Sequence, residues 1–94
     1  MDAMKIDTVA DFNKALQVGP HVFPGGYPTY FITRNSEALS FEAAGDVDNA
    51  QLIREAIEHE GDPAWRVVRF AINWESELYC THTGKPIDSA YDIA

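Results

Sequence analysis

The sequence predicts a small α+β domain in which an antiparallel sheet packs with two helices, in the order α-β-β-α-β-β. Two segments place apolar residues at helical spacing and end at Gly/Pro breakers. Four other segments are rich in β-branched and aromatic residues and lie between turn-forming residues. A chain of 94 residues suits one domain, so residues 1–94 are predicted to share a single core.

The first third is predicted to be one helix and one loop. Residues 7–18 form the helix, because Asp7 or Thr8 can cap its first turn and a Gly-Pro pair ends it. The following PHVFPGGYP segment, residues 20–28, carries three prolines and two glycines, which exclude a helix and a central strand. The apolar face of the helix consists of Val9, Phe12, Ala15 and Leu16.

A hairpin and the clearest helix are predicted next. Residues 29–34 and 38–42 are the two strands of the hairpin, joined by a turn at 35–37. Residues 46–60 form the helix, capped by Asp46 or Asp48 and stopped by Gly-Asp-Pro. Its buried stripe is predicted to be Ala50, Ile53, Ala56 and Ile57.

The last third is predicted to contain the longest strand, residues 64–74, and a short strand at 77–80. Neither face of the longer strand is cleanly polar, which favours a central or bulged strand. Because this strand would anchor the sheet, we expect at least two heavily buried rings among Trp65, Phe70 and Trp74.

The charge balance limits the partners. Seven Lys and Arg residues against fifteen Asp and Glu residues give a net charge of −8. Such a chain repels nucleic acid and anionic membrane, and it is steered toward basic surfaces. The simpler interpretation, that the charge serves solubility alone, is the more common one for acidic proteins.

The predicted compartment is the cytoplasm. No apolar run approaches the ~20 residues that span a membrane, and the first residues lack the apolar core of a signal peptide. A single cysteine excludes an internal disulfide and favours a reducing compartment.

Residues 78–87, LYCTHTGKPI, have the spacing of a zinc knuckle, C-x-x-C-G-x-x-I, with Cys80 at the first ligand position and Thr83 at the second. Structural zinc takes four ligands, almost always Cys and His. One arithmetically possible set is Cys80, His82, His59 and His21. The alternative is that Cys80 is a small buried hydrophobe and His82 a turn residue.

Four segments together resemble a group of short proteins of bacteriophages and mobile elements: GGYPTYFIT, ALSFEAA, WRVVRFAINWESELYC and GKPIDSAY. The similarity covers about residues 25–91. In that group, two C-x-x-C pairs resemble a four-cysteine zinc site. The resemblance places the four ligand positions on Ser40, Ala43, Cys80 and Thr83.

This chain departs from the group at those four positions, because only Cys80 keeps a thiol. Alanine cannot bind a metal, and hydroxyl groups rarely bind zinc. The expectation is that the shape of the site was kept, the metal was lost, and no cofactor is bound. Zinc contributes on the order of 10 kcal/mol in small peptides, so packing must replace it here.

The sequence predicts no catalytic residue. Cys80, His82 and Asp88 supply the residue types of a triad but lie on one turn, whereas triads converge from separate segments. Gly25-Gly26 lacks the preceding strand and following helix of a phosphate loop.

Carboxylates on the second helix are the candidate binding residues. They fall opposite the apolar stripe, and a further cluster lies near the C-terminus. A charged stripe is usually the solvated side of a helix, and the alternative is a surface for a basic partner. The candidate partner-binding residues are Asp48, Glu55, Glu58, Asp62, Glu75 and Glu77.

The resemblance and the charge together predict a non-enzymatic phage-type accessory protein in the cytoplasm of a bacterial host cell. The expected partner is a host protein with a basic surface, in the sharpest form a CRISPR effector or restriction enzyme that the chain would inhibit as an anti-CRISPR-like protein. The alternative is a degenerate zinc-binding domain with a regulatory or housekeeping role, retaining a metal or small ligand near Cys80.

Overall fold

Two strands at the centre of an antiparallel sheet organise this fold. The computed structural model describes residues 3–22, 26–59, 62–74 and 77–90. Helices and an antiparallel sheet are both present, which confirms the predicted α+β class. The helices are α1 (Val9–Val18), α2 (Phe41–Gly45) and α3 (Val47–His59). The strands are β1 (Ala3–Lys5), β2 (His21–Val22), β3 (Tyr27–Thr33), β4 (Ala38–Ser40), β5 (Val67–Ile72), β6 (Leu78–Tyr79) and β7 (Pro86–Ile87).

Strands β3 and β5 lie beside each other and bind all the other strands of the main sheet. On one side β5 pairs with β1, and on the other β3 pairs with β2 and β4, all antiparallel. Phe31 lies opposite Phe70 at the centre of this register. Strands β6 and β7 form a separate two-stranded hairpin.

Strand β5 is shorter than predicted, and it is irregular. The expected strand began at residue 64, but residues 63–65 form a turn, closed by bonds from the amides of Trp65 and Arg66 to the Asp62 carbonyl. The register against β3 shifts between Ile32 and Thr33. The prediction of a central, bulged strand is therefore confirmed, and its first residues were wrongly assigned.

The two predicted helices are confirmed, and α2 is an addition. Thr8 caps α1 in a capping box with Asp11. The Thr8 side chain accepts a hydrogen bond from the Asp11 backbone amide, and the Asp11 side chain accepts one from the Thr8 backbone amide. The segment predicted as strand 38–42 leaves the sheet after Ser40, whose hydroxyl accepts the Ala43 amide and starts α2. Strong local capping here overrides the β preference of Phe41.

An aromatic cluster fills the core between the sheet and the helices. The Phe31 ring lies 5.5 Å from Phe12 and 4.9 Å from Phe70, measured between centroids, and all three are buried. At least two heavily buried rings were expected among Trp65, Phe70 and Trp74, but only Phe70 is buried, so that prediction was wrong. Trp65 and Trp74 are half-buried because the chain turns at both ends of β5.

No helix in the described ranges is both long and apolar enough to cross a membrane.

Candidate functional site

The outer side of α3 carries the predicted carboxylates. Asp46 caps the helix, since its Oδ1 accepts the amides of Asp48 and Asn49 at 3.1 and 3.3 Å. The buried stripe, Ala50, Ile53, Ala56 and Ile57, is the one the periodicity predicts. Burial of this stripe leaves the opposite side in solvent. The exposed carboxylates Asp48, Glu55 and Glu58, with Asp62 just after the helix, are called the acidic face below.

The chain directly after α3 folds back onto the helix end. The Arg66 guanidinium reaches the last turn, where Nη1 donates to the Ile57 carbonyl at 2.6 Å. A cation at a helix C-terminus satisfies an unpaired carbonyl and opposes the negative end of the helix dipole. The Asp62 carboxylate is held in the turn, because its Oδ1 accepts the Ala64 amide at 2.9 Å.

This turn and α3 enclose a shallow groove of about 350 Å³. The floor is apolar and the edge carries carboxylates. The Trp65 ring beside it contacts the His82 ring, 5.3 Å away between centroids. The groove is lined by Leu52, Glu55, Ala56, His59, Asp62 and Trp65.

The second predicted acidic cluster is only partly described. Glu75 lies outside the described residues. Glu77 is exposed, and its Oε1 accepts the Tyr79 hydroxyl at 2.9 Å. This bond to a carboxylate raises the pKa of the Tyr79 phenol. Asp88 lines a different depression from the acidic face, beside His21 and Tyr27.

Two turns meet at the Cys80 sulfur, and we call residues 40–43 and 80–84 the Cys80 turns. The Ser40 amide donates to Cys80 Sγ at 3.4 Å, while the Ser40 hydroxyl accepts the Ala43 amide at 3.1 Å. Within the second turn, the Gly84 amide donates to the Cys80 carbonyl at 2.8 Å. Gly84 has a φ of +73°, a conformation that favours glycine.

The environment of the thiol stabilises its anion. Burial by itself would raise the pKa of Cys80, which is only 1% exposed. The hydrogen bonds to the sulfur from Ser40 and Thr83 outweigh burial and lower the pKa from the usual 9.0 to about 7. These donors occupy two of the positions that the zinc-knuckle pattern predicts for thiolates.

The residues at the Cys80 turns do not fit a zinc ion. One thiol, two hydroxyl groups and the methyl group of Ala43 stand where four thiolates would be needed. Among the described residues, no group of three or more His, Cys, Asp or Glu side chains could hold a metal.

The structure does not bring together the histidine zinc ligands or the catalytic triad that were considered from the sequence. His21 lies beside Asp88 and His59 beside Leu52, in separate depressions, so the set of three histidines with Cys80 is not formed. In the described part of the chain, no hydrogen bond joins Cys80 to His82 or Asp88. The His82 ring contacts Trp65 instead.

The 20–28 loop holds part of a hairpin that the sequence did not predict. Strand β2 pairs with the start of β3, His21 opposite Pro28 and Val22 opposite Tyr27. Phe23 lies outside the described residues. Tyr27 is half-buried, with its ring 4.7 Å from Trp74.

Sequence reasoning missed the apolar part of the α3 groove. Leu52 lies between the carboxylates on the polar side of α3 and remains 43% exposed. An aliphatic residue that interrupts a charged stripe was the available signal. Trp65 could not be placed there while it was assigned to a strand.

Comparisons of the chain with protein-family models, curated protein sequences and solved structures gave no match.

Proposed function

We propose that this chain is a small acidic protein that acts by binding another protein through the acidic face, without catalysis. The observation that carries the proposal is the row of exposed carboxylates on α3, continued by Asp62 beyond the helix end. Within the described residues no Lys or Arg forms an ion pair with them. Their charge is therefore available to a basic partner.

The sharpest form of the proposal is a phage-type anti-defence inhibitor, similar in action to anti-CRISPR proteins. It would occupy the nucleic-acid-binding surface of a CRISPR effector or restriction enzyme in a bacterial cytoplasm. The size of the chain, its net charge of −8 and its resemblance to short phage proteins support this form.

The density of charge argues against mimicry of a DNA duplex by α3 alone. From Asp48 to Glu58 the helix rises ~15 Å. A duplex carries roughly nine phosphates over that length. The helix offers three carboxylates there. Contact with a basic surface thus needs a further attraction besides charge.

A second proposal concerns the evolutionary origin of the domain. The convergence of Ser40, Cys80 and Thr83 favours a degenerate zinc-binding domain in which hydrogen bonds to one thiol have taken the place of metal bonds. A regulatory or housekeeping role with a small ligand near Cys80 is the alternative function. Burial of the sulfur to 1% exposure disfavours it, because a ligand needs access.

The test of the binding proposal is a tagged pull-down from bacterial lysate, followed by DNA-cleavage assays with CRISPR effectors and restriction enzymes. We expect capture of a basic nuclease or nucleic-acid-binding protein, and inhibition that fades above physiological salt, where screening acts within ~8 Å. The variant Glu55→Lys/Glu58→Lys changes the net charge from −8 to −4, since each reversal adds two charges. It should weaken capture at least tenfold.

The control variant is Asp7→Lys/Glu42→Lys, which makes the same charge change at exposed residues outside α3. It should retain most of the binding. If both double variants bind and inhibit like the unmodified protein across the salt series, the acidic face is not the contact.

A further inference from the structure

The groove at the end of α3 combines an apolar floor with an acidic edge. On the floor, Leu52 is 43% exposed, and Trp65 is half-buried and packs against the core. A leucine beside a tryptophan at the edge of solvent is a surface that gains free energy when it is covered. Tryptophan is enriched among the residues that contribute most to binding at the centre of protein interfaces.

Two carboxylates border this floor. Glu55 comes from α3, and Asp62 comes from the turn that follows it. The Ala64 amide uses Asp62 Oδ1 and fixes its orientation, while Oδ2 accepts no hydrogen bond from the described residues. Arg66 is held at the last turn of α3 by its bond to the Ile57 carbonyl.

The apolar floor and the acidic edge together favour one kind of partner side chain. A neutral apolar side chain would cover Leu52 but would bury two carboxylates without partners, which is costly. An anionic segment would be repelled. A lysine would bring a charge, but its ammonium group is strongly hydrated and cannot pair in a bidentate way. An arginine can lay its aliphatic stem on Leu52 and Trp65 while its guanidinium pairs with the carboxylates.

We propose that this groove receives an arginine side chain of the partner protein, so that Leu52 and Trp65 cover its stem while Glu55 and Asp62 pair with its guanidinium. This inference rests on the proposed protein-binding function, and it names the chemistry of the contact. It also supplies the attraction that three helix carboxylates alone do not provide.

The experiment uses the full chain and three synthetic peptides, acetyl-Ala-Arg-Ala-Arg-Ala-amide and its lysine and citrulline counterparts. Binding is followed by NMR at low ionic strength. We expect the arginine peptide to shift the Leu52 and Ala56 methyl signals and the Trp65 indole signal in a saturable way. The lysine peptide should bind at least threefold more weakly, and the neutral citrulline peptide should give no saturable shift.

The variant Glu55→Gln/Asp62→Asn keeps side-chain shape and the acceptor for the Ala64 amide. It should weaken binding of the arginine peptide at least tenfold. The control Glu42→Gln/Asp88→Asn removes the same charge from exposed residues outside the groove and should change it less than twofold. Equal binding by the two variants, or saturable shifts confined to residues outside the groove, would overturn the arginine site.

The failure of this inference can be told apart from failure of the proposed function. A captured partner that is lost with Glu55→Lys/Glu58→Lys but is retained fully with Glu55→Gln/Asp62→Asn would refute the arginine groove and leave the acidic face as the contact. A partner that tolerates both variants would refute the proposed function, and the groove would have no part in that contact.

Discussion

The Ser40 amide donates a hydrogen bond to the Cys80 sulfur, 40 positions away in the chain, across 3.4 Å. With the Thr83 donors of the second turn, this bond makes the thiol the meeting point of the β4–α2 junction and the β6–β7 hairpin. Amide-to-sulfur bonds of this kind need a sulfur that carries negative charge to be strong. The relationship leads to two of the four predictions below.

We predict that the purified protein carries no stoichiometric zinc, and that Ser40→Cys/Ala43→Cys/Thr83→Cys creates a zinc site. Three added thiols with Cys80 would complete a four-thiolate set at turns that already meet. Elemental analysis should give no zinc for the unmodified protein and about one zinc per chain for the triple variant. Cobalt substitution should show the absorption of tetrahedral thiolate coordination.

The control for this prediction is the triple variant combined with Cys80→Ala, which retains three thiols and should bind zinc far more weakly. Chelator should lower the melting temperature of the triple variant only. One zinc per chain in the unmodified protein, lost with Cys80→Ala, would contradict the view that the metal was lost.

The second prediction is that stability rises with pH between about 7 and 9 because of Cys80. The folded-state pKa, about 7, lies below the usual 9.0. The folded protein therefore binds fewer protons than the unfolded chain in this window, so the contribution is complete above pH 9 and is lost as the pH falls through 7. The difference in unfolding free energy from Cys80→Ala should grow by on the order of 2 kcal/mol.

Urea unfolding with a reductant at pH 6 to 9.5 measures this difference. Parallel curves for the two proteins would show that the thiol is not ionised in the folded state.

The third prediction concerns Asn73, which is 2% exposed. Its side-chain amide donates to the carbonyls of Asp88 at 3.0 Å and Ile87 at 3.4 Å, tying the segment after β7 to the end of β5. Asn73→Ala would leave these carbonyls without that donor, at a cost of roughly 1–3 kcal/mol. Hydrogen exchange should accelerate for the backbone amides of residues 87–90.

Asn35→Ala, at an exposed turn position, is the matched control and should cost less than about 0.5 kcal/mol. Unchanged exchange in residues 87–90 of Asn73→Ala would mean that the segment is held by other contacts.

The fourth prediction ranks two aromatic residues. Phe31 is fully buried among Phe12, Phe41 and Phe70, so Phe31→Ala should cost about 3–5 kcal/mol. Trp74 is half-buried against Tyr27, and Trp74→Ala should cost less than half as much. Chemical denaturation of both variants gives the ranking. Equal costs would place Trp74 in the core after all.

Local signals in the sequence determined the two longer helices and the central hairpin. The Thr8 cap, the Asp46 cap and the 3.6-residue spacing of Ala50, Ile53 and Ile57 act within a few residues of each other. Their effect is therefore visible without the rest of the chain. The same spacing also identified the exposed carboxylates of α3, because the side of a helix opposite its buried stripe faces solvent.

Tertiary structure alone decided the short strands and the surroundings of the groove. Strands β1 and β2 have three and two residues, too few for a pattern, and exist because β5 and β3 supply bonding partners. Trp65 lies in a turn and not in the predicted strand, because its amide donates a hydrogen bond to the Asp62 carbonyl. In this position it lines the groove together with Leu52. Hydrogen bonds and packing between distant segments set these positions, and no spacing within a single segment encodes them.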